Sequence, residues 1–225
     1  MITTLGAVYA EIPNANAIPR PVWNLILPLD FQTMYELGDK KTTQIPYKTV
    51  FTGIGVDHFS IDINGLHGSV PLDLRDPIDL PPRDIVTNIG TSEHVMDGQE
   101  MCFRNIHNLS SRRMVHWVPY GRSMLFHGLY GYDLTFFERL AAINHYVIEK
   151  LYMLPYGPRG IMKIACTSFR KTVDNEFKWP GYESIHAKQL NKRGQWRFPP
   201  LPRTVPAQPR SAPAEANGIA ELTPS

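Results

Sequence analysis

The five residues Pro155-Tyr156-Gly157-Pro158-Arg159 constrain the fold more tightly than any other stretch of the chain. They join two strand-like runs, residues 146–154 and 160–168. A parallel return needs a crossover of about a dozen residues, so a link this short makes the two runs an antiparallel pair. Ahead of them, strand patterns are interspersed with helix patterns, as in a parallel sheet flanked by helices. The expected fold is therefore α/β, a mostly parallel open sheet with an antiparallel terminal hairpin.

Residues 33–37 read as a first strand closed by Gly38-Asp39, and residues 47–53 as a short helix ended by glycine. Residues 58–63 form a second strand, stopped by the Asn64-Gly65 turn signal. Residues 69–74 make a third, short and irregular because Pro71 has no amide to donate. Residues 84–89 are a fourth, ending in a small polar loop where open α/β sheets place their ligands. Thr91 or Ser92 then caps a helix with Val95, Met101, Cys102, Ile106 and Leu109 along one side. Residues 113–118 are a fifth strand, and Asp133 is placed as N-cap of a helix over 134–144. The connections 64–68 and 75–83 leave little room for helices, so one sheet face is partly bare or covered by the N-terminal arm.

That arm, residues 1–30, carries Pro13, Pro19, Pro21 and Pro28 and reads as extended, anchored by Trp23 and Leu25. The domain proper spans 31–170, followed by a basic extension over 171–197 and a disordered Pro/Ala-rich tail over 198–225. Of 225 residues, 43% are hydrophobic and 20% charged, ordinary for a soluble globular chain. A net charge of +2 gives no reason to expect nucleic acid as the main partner. No apolar run approaches the ~20 residues of a membrane span, and no signal peptide is apparent. The default expectation is a cytoplasmic protein with two reduced thiols, Cys102 and Cys166.

In this order and spacing, the motifs resemble those of the class I, seven-stranded S-adenosylmethionine-dependent methyltransferases over residues 31–168. Glu36-Leu37-Gly38 is similar to the family's first motif, Asp62 to the acidic end of its second strand, and Asp73-Leu74 to its third-strand element. Residues 84–95, ending in Glu93-His94-Val95, resemble its fourth motif. The resemblance implies S-adenosylmethionine as cofactor and a small-molecule acceptor methylated at oxygen or nitrogen. It implies that Glu36 and Gly38 meet the cofactor's amino-acid end, that Asp62 holds the ribose, and that Asp73 and Leu74 flank the adenine. Asn88 and Gly90 are then the floor beneath the sulfonium and acceptor.

A carboxylate such as Asp62 suits two vicinal hydroxyls because it can accept both hydrogen bonds. His94, with an ordinary pKa near neutrality, is a candidate general base, and His127, in the loop after the fifth strand, is its rival. No metal site is expected, since His94, His107, His116 and His127 show no HxxxH or CxxC pairing. Gly38 is followed by Asp39-Lys40-Lys41-Thr42 rather than by further glycines, which keeps a second reading open. In it the same fold is a non-catalytic binding or assembly module. A nicotinamide-dependent enzyme is disfavoured, because no G-x-G-x-x-G follows the first strand.

Overall fold

The computed structural model describes residues 2, 4–39, 44–124 and 127–187. Its helices are α1 (Leu5–Glu11), α2 (Arg20–Ile26), α3 (Tyr47–Gly53), α4 (Gln99–Leu109) and α5 (Leu134–Asn144). Its strands are β1 (Thr33–Leu37), β2 (Asp57–Ile61), β3 (Arg83–Ile89), β4 (Ser110–Pro119), β5 (Tyr130–Tyr132), β6 (Val147–Tyr156), β7 (Met162–Arg170) and β8 (Ile185–Ala187). Six strands form one sheet in the order β2-β1-β3-β4-β7-β6. The first four run parallel, and β7 and β6 are antiparallel, as the five-residue link requires.

Alternation along the strands builds two cores. Tyr35, Leu37, Val86, Met114 and Val118 face α4 and α5, where Phe103, Tyr132, Phe136 and Phe137 interlock. Met34, Ile85, Ile89 and Val115 face α1, α2 and α3, packed around Trp23 and Phe51. The N-terminal arm thus covers the sheet face that the thin crossovers leave open. β3 is buried continuously from Ile85 to Ile89, the pattern of a parallel strand covered on both faces.

Several elements differ from the sequence-based expectation. The arm is helical rather than extended: Thr4 caps α1 by accepting from the Ala7 amide at 3.3 Å. Pro21 sits in the first turn of α2, where a missing amide costs nothing. The third strand is reduced to one bridge, Ile61 to Val70, beside the donorless Pro71. The helix after β3 begins at Gln99 instead of near Ser92, and a single 3-10 turn, Ser92–His94, precedes it. Asp133 occupies the N-cap of α5, but its carboxylate meets His186 Nε2 at 2.9 Å instead of capping.

Within the basic extension, Phe177, Tyr182 and Ile185 are buried in the α4–α5 core, with Trp179 packed against it. Their β8 pairs antiparallel with β5, a two-stranded element too short to announce itself in sequence. Lys40, Lys41 and Thr42 of the first loop, Phe126 and residues 188–225, with the tail, lie outside the described residues. No helix among the described residues is long and apolar enough to cross a membrane.

Candidate functional site

The carboxyl ends of β1, β2 and β3 meet at a cavity of about 310 Å³, at the small end of the range for small-molecule sites. Gly38 follows β1, Asp62 and Ile63 follow β2, and Gly90 and Thr91 follow β3 along its wall. Leu72, Asp73, Leu74, Arg75, His94, Val95 and Met96 complete its lining. Gly38 and Gly90 have φ of 76° and 63°, a left-handed backbone that brings main chain to the cavity without a side chain. The Thr91 hydroxyl donates to the Leu37 carbonyl at 2.6 Å and ties these two loops together.

Asp62 is the central polar group of the wall. One carboxylate oxygen accepts from the Asn64 amide at 3.1 Å and the other from the Asp39 amide at 3.2 Å. Those bonds orient the carboxylate, and each oxygen retains acceptor capacity for a hydroxyl. Asp73 is held by Arg75, whose Nη2 lies 2.6 Å and Nε 3.0 Å from one carboxylate oxygen. This pairing with Arg75 keeps the Asp73 carboxyl below its ordinary pKa.

Glu36 and Asn88 lie elsewhere. Glu36 is buried on the opposite sheet face, 3.0 Å from His58 Nε2, and does not line the cavity. Asn88 is buried beneath the Ser92–His94 turn. Its Oδ1 accepts from the Ser92 amide at 3.0 Å, and its Nδ2 donates to Ser92 Oγ at 2.8 Å and to His116 Nδ1 at 3.2 Å. Gln99 adds to this buried network: its Nε2 donates to the Ser92 and Val95 carbonyls, and its Oε1 accepts from Tyr132 at 2.5 Å. Desolvation alone lowers the His116 pKa to about 3, so its ring stays neutral and accepts from Asn88.

This network presents Glu93 and His94. The Glu93 side chain is buried, with Oε1 3.8 Å from His94 Nε2. His127 joins them from the loop before β5: its ring stands edge-on to that of His94, centroids 5.0 Å apart. The Leu129 amide donates to the Glu93 carbonyl at 2.8 Å and fixes that loop to the turn. One ligand atom each from Glu93, His94 and His127 lies within 4.8 Å of the others.

Of the residues singled out from sequence, Gly38, Asp62, Asp73, Leu74, Gly90 and His94 therefore come together on one cavity, with His127 against His94. Thr91 and Arg75 were missed, since nothing local marks a hydroxyl that bonds across to another strand's end. Glu93 had been read as part of the Glu93-His94-Val95 ending of the fourth motif, with no chemical role of its own.

No family model matches the sequence, and no curated protein matches it. Among solved structures, the chain is similar to 1,6-didemethyltoxoflavin-N1-methyltransferase from Burkholderia thailandensis, determined with 1,6-didemethyltoxoflavin and S-adenosylhomocysteine bound. The identity is 13% and the TM-score 0.53, covering 74% of this chain and 81% of that one. An N-methyltransferase from Bradyrhizobium japonicum also matches, at 11% identity and TM-score 0.47, covering 68% of this chain and 86% of that one. The fold is that of the class I methyltransferases, with the outer third strand of the seven-stranded pattern reduced to a bridge.

Proposed function

We propose that the chain is an S-adenosylmethionine-dependent methyltransferase acting on a small-molecule oxygen or nitrogen acceptor, with the cavity beside Asp62 as its cofactor site. The observation that carries the proposal is the Asp62 carboxylate, oriented by two amides at the end of the edge strand β2, beside the loop that turns at Gly38 and with the Gly90 turn beyond it. The Burkholderia protein, of the same fold, holds S-adenosylhomocysteine and a small-molecule acceptor.

When bound, the cofactor supplies an activated methyl group, so the protein has mainly to bind, align and exclude water. Asp62 accepts hydrogen bonds from the two ribose hydroxyls. Ile63, Leu72 and Leu74 supply apolar surface for the planar base, and the Asp73–Arg75 pair stiffens that wall. Gly38 and Gly90 let the backbone approach the methionine portion. The buried network holds Ser92–His94 in place, and the acceptor binds against His94, which lines the cavity with the His127 ring edge-on beside it. Glu36, paired with His58, braces β1 against β2 from behind.

Calorimetry with S-adenosylmethionine and S-adenosylhomocysteine tests this. Saturable binding that Asp62→Ala abolishes supports the proposal. Absence of binding at millimolar cofactor overturns it and leaves a methyltransferase fold serving as a binding or assembly module.

A further inference from the structure

We propose that Glu93, His94 and His127 form a divalent-cation site at the acceptor end of the cavity. This rests on the methyltransferase reading only for the cation's role, not for its binding. Three donors of metal-ligating type converge there: one ligand atom from each lies within 4.8 Å of the other two. Ligands sharing a cation at about 2.1 Å stand roughly 3 to 3.5 Å apart. Glu93 Oε1 and His94 Nε2, at 3.8 Å, are already close to that spacing. Both imidazoles are exposed, and their rings stand edge-on beside the Glu93 carboxylate.

The carboxylate, in contrast, is fixed. Its turn is gripped from below by Asn88 and Gln99. Gly128 packs so closely above that an added Cβ would stand 2.7 Å from Glu93 Cγ. Only glycine fits beside His127 at this point, and the Leu129 amide bonded to the Glu93 carbonyl locks the two segments together. One buried carboxylate and two exposed imidazoles, contributed by segments 33 residues apart (127 less 94), make a cradle that no sequence spacing discloses.

One oxygen and two nitrogen donors suit zinc, cobalt, nickel, manganese or iron(II) better than calcium or magnesium. Three protein ligands leave open positions, the arrangement of a site that takes a further ligand. Because His94 lines the cavity, the site borders it, and the acceptor class that a cation activates is a hydroxyl. Bound there, the hydroxyl gives its proton to water. The oxygen's electron pair forms the new O–CH3 bond as the S–CH3 bond breaks and leaves its pair on sulfur. The two imidazoles hold the cation instead of taking the proton.

The test uses the full chain, stripped with a chelator and titrated with cobalt(II), read by its visible absorption and then by zinc competition. One equivalent of cobalt should bind and be displaced by zinc. His127→Ala and His94→Ala should each weaken it more than about a hundredfold, beyond what outer-sphere changes cost. His145→Gln, an exposed histidine elsewhere, should leave affinity unchanged, and Glu93→Gln with an intact circular dichroism spectrum should behave like the histidine variants. No saturable cobalt binding, or binding indifferent to His94 and His127, overturns the site. Cofactor calorimetry on the stripped protein separates the two proposals. Cofactor binding without cobalt binding refutes the cation site alone, and cobalt binding without cofactor binding refutes the methyltransferase alone.

Discussion

Replacing Asn88 with alanine tests whether the turn bearing Glu93 and His94 is held from beneath. The substitution removes a side chain with no solvent exposure and three polar contacts, two to Ser92 and one to His116. Ser92 Oγ keeps Tyr132 Oη at 3.0 Å, but the Ser92 amide and His116 Nδ1 lose the partners that Asn88 supplied. Each buried polar group deprived of a partner costs about 1–3 kcal/mol. The small void adds about 1 kcal/mol. A loss near 4 kcal/mol is expected, a large share of the ~5–15 kcal/mol that holds a domain of this kind together. Urea unfolding followed by tryptophan fluorescence and circular dichroism measures it, and the midpoint should fall with the slope unchanged. A loss below about 1 kcal/mol would mean that the turn does not depend on this network.

Burial lowers the pKa of His107 to about 4 and that of His116 to about 3, so the unfolded chain binds protons at these two sites before the folded one does. Their stabilisation is therefore full above about pH 6.5 and falls as pH drops toward 4, by up to about 2.7 kcal/mol per unit for the two together. Urea midpoints taken between about pH 7 and 5 should show that slope, and a flat profile would contradict it. Trp23→Ala empties a fully buried site and breaks a 2.8 Å bond from Nε1 to the Ala15 carbonyl. It should cost about 3–5 kcal/mol in the same assay, whereas an arm merely draped on the domain would lose little. His94→Ala should lower methyl-transfer turnover and leave S-adenosylhomocysteine affinity within about twofold; equal turnover would remove His94 from the acceptor site.

What the sequence made legible follows from local physics. The hairpin was forced by a link too short to cross over, and β1 and α3 lay between strong glycine and proline punctuation. Asp62, Asp73 and Gly90 were singled out because their motifs resemble the class I methyltransferase pattern, and the fold brings all three to one cavity. Glu36 and Asn88 were harder to place. Which face a strand side chain takes depends on register, and here Glu36 points to the arm side while Asn88 points down into the core. Prolines hid the arm because one of them starts a helix rather than preventing it. β5 and β8, three residues each, have no period to detect, and the meeting of Glu93, His94 and His127 depends on how the loop before β5 folds back.

The central claim is that the Asp62 carboxylate holds the two ribose hydroxyls of the cofactor. A double-mutant cycle tests it most directly: calorimetric affinities of S-adenosylhomocysteine and its 2′,3′-dideoxy analogue for the native chain and for Asp62→Ala. Hydrogen bonds to a charged group contribute about 1.5–3 kcal/mol each, so the native chain should favour the hydroxylated ligand by at least tenfold. Asp62→Ala should bind both ligands equally weakly. If the variant still prefers the hydroxylated ligand as strongly as the native chain does, Asp62 does not hold the ribose and the assignment of the cavity fails.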